Sequence, residues 1–348
     1  MYSVESNPAI RRKGLMQARR YCGEHRALAS LMLVLAISGA PLTVLAQSKP
    51  WTAPRTPEGH PDLQGIWSNA SIVALERPTE LEGKQFFTPG EKAAYEAKVF
   101  ARSSRDRPPA AGGVGTYNDF WWDADSKRAP NFRTSLIVDP PDGRIPPLTP
   151  QAQQRIEAER VNAREHPADG PEDRSLMERC ILFPTTGPPM LPSFYNNSQF
   201  GALTTNYQIV ETREYVTILV ELNHDVRRIP LDGRPHIPPG IRQWLGDSRG
   251  RWEGDTLVVD TTNFTSNTKF RGADENLHLT ERFTRTGPDT ILYEFAMDDP
   301  TAFTKPWKAE VPMIASEAPL FEHACHEGNY GLVGILRGAR REETHGLK

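Results

Sequence analysis

From residue 207 onward the chain is a succession of short runs in which apolar and polar residues alternate, and this pattern constrains the fold more than any other feature. The runs are 207–211, 215–224, 227–231, 256–262, 277–285, 290–297, 308–313 and 320–325, separated by Asp-Gly, Gly-Asp and Gly-Pro-Asp turns. Alternation with period two gives each strand one face for a core and one for water, and such turns join neighbours antiparallel. Short-linked runs of this kind predict a mainly β fold, an antiparallel meander curling into a barrel or half-barrel, because curling removes exposed edges. Residues 238–245 interrupt the series and are expected to form a short helix stopped by Gly246.

The first half is less regular. The 31 prolines and 26 glycines lie mostly between apolar runs, as irregular connections require. Leu63-Gln64-Gly65-Ile66-Trp67 is expected to be a first strand. Thr88-Pro89-Gly90-Glu91 is a capping box that opens a helix to about residue 101, and Thr149-Pro150 opens another to about residue 165, polar nearly all round and so a surface helix. Between them, Tyr117, Asn118, Phe120, Trp121 and Trp122 either line a pocket or plug a core, since aromatics carry so much burial energy. Residues 135–144 read as a strand entering a turn.

The first 46 residues carry six basic side chains, an apolar run over 27–45 and small residues before Gln47, the pattern of an export signal cleaved after Ala46. Ser38, Gly39 and Pro41 interrupt the run and make it marginal as a membrane anchor. Cleavage would leave 35 basic against 42 acidic residues, a net charge of −7, which attracts neither nucleic acid nor anionic lipid. Cys180 and Cys325 would be the remaining cysteines, expected to pair in an oxidising compartment, periplasmic or extracellular. In the chain-entropy view so long a loop makes the bond worth on the order of 4–5 kcal/mol. The domain plan is then a signal over 1–46, a Pro-rich extended segment over 47–59, one barrel-like domain over 60–340 and a tail over 341–348.

Alternation also sorts the reactive residues. In 216–225, Val216, Ile218, Val220, Leu222 and His224 fall on one apolar face, so His224 is expected to look inward, as a core histidine or as a general base. Glu281 shares a face with Leu277, Leu279 and Phe283; it must be paired, with Arg133 or Arg227 as the available cations, or protonated and able to act as an acid. His278 faces the other side and reads as solvated. In His323-Ala324-Cys325-His326-Glu327, an extended chain puts His323 with Cys325 and His326 on the opposite face, so the two histidines could share a metal only across a bulge. His236 lies in a turn-rich loop, where functional residues are common. No phosphate-binding glycine loop, dinucleotide fingerprint or nucleophile elbow is present in the sequence, and neither a cofactor nor a metal is expected.

The strings 117–121, 135–144, 224–236, 244–260 and 324–330 resemble a family of exported bacterial proteins whose activity is uncharacterised, so the resemblance implies export and no catalytic residues. Gly65-Ile66-Trp67 resembles the first strand of lipocalin-like barrels, which implies a cavity for a hydrophobic ligand. The expected function is an exported enzyme, a lyase, isomerase or hydrolase, that takes a small apolar or aromatic molecule in a barrel mouth. His224 would be the base and His323 or Glu281 the acid, with His326 and His236 in reserve. Tyr117, Asn118, Trp121, Trp122, Arg133 and Arg227 would contact the ligand. The alternatives are a lipocalin-like carrier without chemistry and a metal enzyme using the histidine cluster.

Overall fold

The computed structural model of the chain describes residues 51–103, 128–183, 187–192 and 206–346, so the expected signal and the Tyr117–Trp122 ligand residues lie outside the described residues. Within them the fold is mainly β, a nearly closed antiparallel barrel of nine strands with three helices outside. The strands are β1 (Gly65–Ser68), β2 (Ile137–Asp139), β3 (Asn206–Glu211), β4 (Tyr215–Val220), β5 (Val226–Pro230), β6 (Asp247–Glu253), β7 (Thr256–Thr262), β8 (His278–Gly287), β9 (Thr290–Asp298) and β10 (Trp307–Ala315). Their order is β5-β4-β3-β1-β10-β9-β8-β7-β6, with β2 paired to β10 beside this path. Two meanders are thus joined by the amino-terminal strand, which slots between β10 and β3.

The alternating residues fill the interior. Val216, Ile218 and Val220 of β4, Ile291 and Tyr293 of β9, and Trp307, Val311 and Met313 of β10 are fully buried. Each such side chain contributes about 1.5–3 kcal/mol by leaving water. Trp67 joins them and donates its indole N–H to the Leu63 carbonyl at 2.8 Å, while Arg285 lies over its ring.

The ladder stops between β5 and β6, and side chains complete the wall. Ile229 and Leu231 cross over Gly250, where a Cβ would stand 2.8 and 2.7 Å from their methyl groups, so a larger residue would have to displace both side chains at this seam. Inside, Arg227 of β5 reaches past β6 and β7 to Glu281 of β8 in a bidentate pair at 3.0 and 2.5 Å, both side chains essentially without solvent contact. Arg227 also donates to Ser248 of β6 at 3.3 Å, and Tyr293 donates its hydroxyl to Glu281 at 2.8 Å. Burial opposes the charge on Arg227, but Glu281 outweighs it and holds the guanidinium above its ordinary pKa.

The helices are α1 (Pro89–Ser103), α2 (Pro150–Glu165) and α3 (Tyr330–Thr344). The expected capping box is present at α1: Glu91 accepts from the Thr88 N–H at 2.9 Å, and Thr88 accepts from the Glu91 N–H at 3.4 Å. Thr149 caps α2 by accepting from the Ala152 N–H at 3.1 Å.

Three expectations are corrected and one strand is added. No helix forms over 238–245: Pro238 and Pro239 withhold two N–H donors, and Gln243 instead exchanges backbone bonds with Asn263 and Thr265. The Asn263 amide then donates to the carbonyls of Ile237, Pro238 and Ile241 at 3.0–3.1 Å, which fixes the loop. Residues 320–325 are not a strand, because no ladder partner faces them among the described residues and their fastenings are a side chain and a disulfide. The end of the expected β domain and residues 341–344 of the expected tail form α3, started by Asn329, which accepts from the Leu332 N–H. Strand β6 went unread because its sequence, Asp-Ser-Arg-Gly-Arg-Trp-Glu, carries no apolar alternation.

At the end of the barrel where β1 begins, Glu211 accepts from the Leu63 N–H at 2.5 Å, and burial, helped by Asp62 and Glu58, pushes its carboxyl up to about 7. The folded state therefore holds a proton that the unfolded chain releases, and this contribution to stability is lost as pH rises from about 4.5 through about 7. Glu211→Gln should flatten that part of the stability–pH curve in urea titrations. Removing one member of the buried pair, by Glu281→Gln or Arg227→Met, should lower unfolding free energy by about 3–5 kcal/mol, and replacing both with apolar residues should cost less than the sum of the two.

Candidate functional site

Strand register assigns the carboxyl ends of β1, β4, β7 and β9 and the amino ends of β3, β5, β6, β8 and β10 to one rim. The β4–β5 connection lies on this rim. Strand β4 ends at Val220, and the chain reverses through Asn223 and His224, consecutive residues with φ of 65° and 45°. Left-handed backbone costs a non-glycine residue about 1 kcal/mol or more, and Asn tolerates it best. The turn is repaid by side-chain bonds, since the buried Asn223 amide donates to the Ile181 carbonyl at 3.2 Å and to Asp225 at 3.4 Å. With the strand over, alternation no longer applies, and His224 is exposed; the expectation that it looks inward is corrected on this point.

His323 comes to the same place from the other end of the chain. The segment is held at Phe321, whose N–H donates to Glu221 at 3.0 Å, and at Cys325, which forms a disulfide with Cys180 across a Cα–Cα distance of 5.7 Å. Glu221 also accepts from the Asn206 amide at 2.7 Å, so one carboxylate joins this segment to β3. The His323 ring meets the Phe183 ring edge-on, with centroids 5.3 Å apart, and its Nδ1 is buried without a hydrogen-bond partner among the described residues. Burial, and then the proximity of His224, lower the pKa of His323 below that of a solvated histidine. The neutral ring has one lone pair and one N–H, so it can accept a proton from a molecule on the rim or pass one to it.

The remaining expected residues lie elsewhere. Glu281 and Arg227 form the buried pair described above, so they meet each other and not the rim histidines. Arg133 sits outside the barrel, paired with Glu310 at 2.8 Å and stacked over Phe86. His326 is exposed in the turn after Cys325.

His236 belongs to a second network on the outer face of β6, β7 and β8. Its Nδ1 meets Asp247 and its Nε2 meets Asp260, each at 2.8 Å, while Arg249 pairs with the other Asp247 oxygen and His278 with the other Asp260 oxygen at 2.5 Å. His278 is exposed, as alternation implies, and is also oriented by the Asp260 carboxylate, which raises its pKa by hydrogen bonding. Asp260 is desolvated, yet the bonds from His278 and His236 hold its carboxyl below the usual range. Alternation correctly put His278 outward but could not give the register that brings Asp260 to it.

Among the described residues no group of three or more His, Cys, Asp or Glu side chains is placed to hold a metal, and no helix is long and apolar enough to cross a membrane. Compared with known proteins, the chain matches no family model and no curated sequence.

The raised pKa of His278 makes its contact with Asp260 stabilising in full below pH 6.5, the unfolded value, and the contribution is lost as pH rises through the folded value. Asp260→Asn should return the His278 titration, followed by imidazole NMR signals, toward that of a free histidine and remove this loss of stability above pH 6.5.

Proposed function

We propose that the protein is an exported barrel enzyme that binds a small apolar or aromatic molecule at the rim carrying Asn223, His224 and His323, and moves a proton with His323 as the acceptor and His224 as its partner. The observation that carries this reading is the half-buried His323 ring: its Nδ1 has no hydrogen-bond partner among the described residues, and its surroundings favour the neutral form near His224. A histidine kept only for packing would be expected to have both nitrogens solvated or bonded. The edge of Phe183 and the exposed ring of Phe321 supply apolar surface beside it, which suits an aromatic ligand. The disulfide is compatible with export. Lyase, isomerase and hydrolase chemistries share the proton transfer that this arrangement offers.

Glu281 and Arg227 have no part in that step. Their charges neutralise one another away from solvent, and the role that fits them is closing the barrel.

Native mass spectrometry of the protein purified from its own compartment should show what it binds. With that molecule in hand, His323→Ala is expected to lower turnover by about 10²–10⁴-fold, the usual size of a general acid–base contribution, while the ligand still binds. A ligand recovered unaltered, with no turnover in the unsubstituted protein, would establish the carrier instead.

A further inference from the structure

One short turn organises both imidazoles. Residues 176–183 present the Ile181 carbonyl to Asn223, which sets the His224 turn, and present Phe183 and Cys180 to the segment that carries His323. Cys180 itself stands at φ 56°, so its Sγ leaves the turn from a backbone conformation that few side chains adopt. On the other side, residues 316–329 run from β10 to α3 without regular structure and mostly exposed. Their fastenings near His323 include the Phe321 bond to Glu221, the disulfide at Cys325, and the Asn329 amide, which donates to the Glu178 carbonyl at 2.8 Å and to the Cys180 sulfur at 3.4 Å. Only the disulfide is covalent. It joins the His323 segment to the turn that carries Phe183, the ring against which His323 packs.

We propose that the Cys180–Cys325 disulfide is the positioning bond of the rim site: reduction by a dithiol frees the 316–329 segment and removes His323 from Phe183 and His224. Two electrons and two protons pass to the cystine to give two thiols, and the dithiol becomes a disulfide in turn. The barrel should lose stability on the exchange but keep its strands, because its ladder, seam and buried ion pair involve neither cysteine. The inference rests on the reading of His323 as the proton-transfer group, and it adds a regulation of that group by the redox state of its surroundings.

Two measurements that need no substrate test it. Carbethoxylation by diethyl pyrocarbonate at about pH 8, where histidines are neutral, reports access to each ring. In the oxidised protein His323 should react more slowly than the exposed His326 of the same segment. After dithiothreitol its rate should rise to that of His326, and its NMR titration midpoint should move up to that of a solvated histidine. The Cys180→Ser/Cys325→Ser protein should behave in the same way without reductant. Unchanged reactivity and midpoint after the thiols have formed would overturn the proposal. So would loss of the far-UV β signal on reduction, since the bond would then hold the whole fold and not one side chain. Full turnover by His323→Ala would sink the proton-transfer reading and leave the footprinting result standing, so the two failures are distinguishable.

Discussion

The structure depends on how the barrel is shut. Backbone hydrogen bonds run unbroken from β5 through β1 to β6 and then stop, so the two terminal strands of the path must be joined by side chains. Arg227 does this from the inside, bonding to Ser248 on the adjacent strand and to Glu281 two strands beyond it. Both charges have left water, which is favourable only because the contact is bidentate and Tyr293 completes the carboxylate's shell. Ile229 and Leu231 add an apolar layer over Gly250.

The rim uses the stability of that scaffold. A reversal through two left-handed residues and an irregular segment fastened by few bonds are both unfavourable when taken alone. They persist because a rigid wall stands beneath them and because the 176–183 turn offers each a specific anchor. His323 has its depressed pKa because it packs against Phe183 near His224, and it packs there because Cys325 is tied to Cys180. The outer network of His236, Asp260 and His278 has the opposite logic: Asp260 favours the charged form of His278, and the bonds from His236 to Asp247 and Asp260 fasten the 231–246 loop to the sheet.

Much of the fold was legible because alternation is a local property. The inward faces of β4 and β8 follow from alternation, as do the runs that form β9 and β10, Glu281 at a buried position and Arg227 as one of its two candidate partners. Reading failed where alternation was absent or ended. Strand β6 has an almost wholly polar sequence and is held by its neighbour, and His224 lies four residues past the end of its strand. Helix α3 was missed because residues up to 340 were taken for the end of a β domain and 341–348 for a tail, although Asn329 stands at its start as a cap.

The sequence by itself determined the strand periodicity, the caps of α1 and α2 and the two cysteines expected to pair, because each follows from residues close together or from composition. The tertiary structure decided the partners: which cation meets Glu281, that Asp260 orients His278, and that His323 lies beside His224 nearly one hundred residues away in the chain. Register, strand order and the reach of one turn set those contacts, and none of the three is encoded in the spacing of the residues that meet.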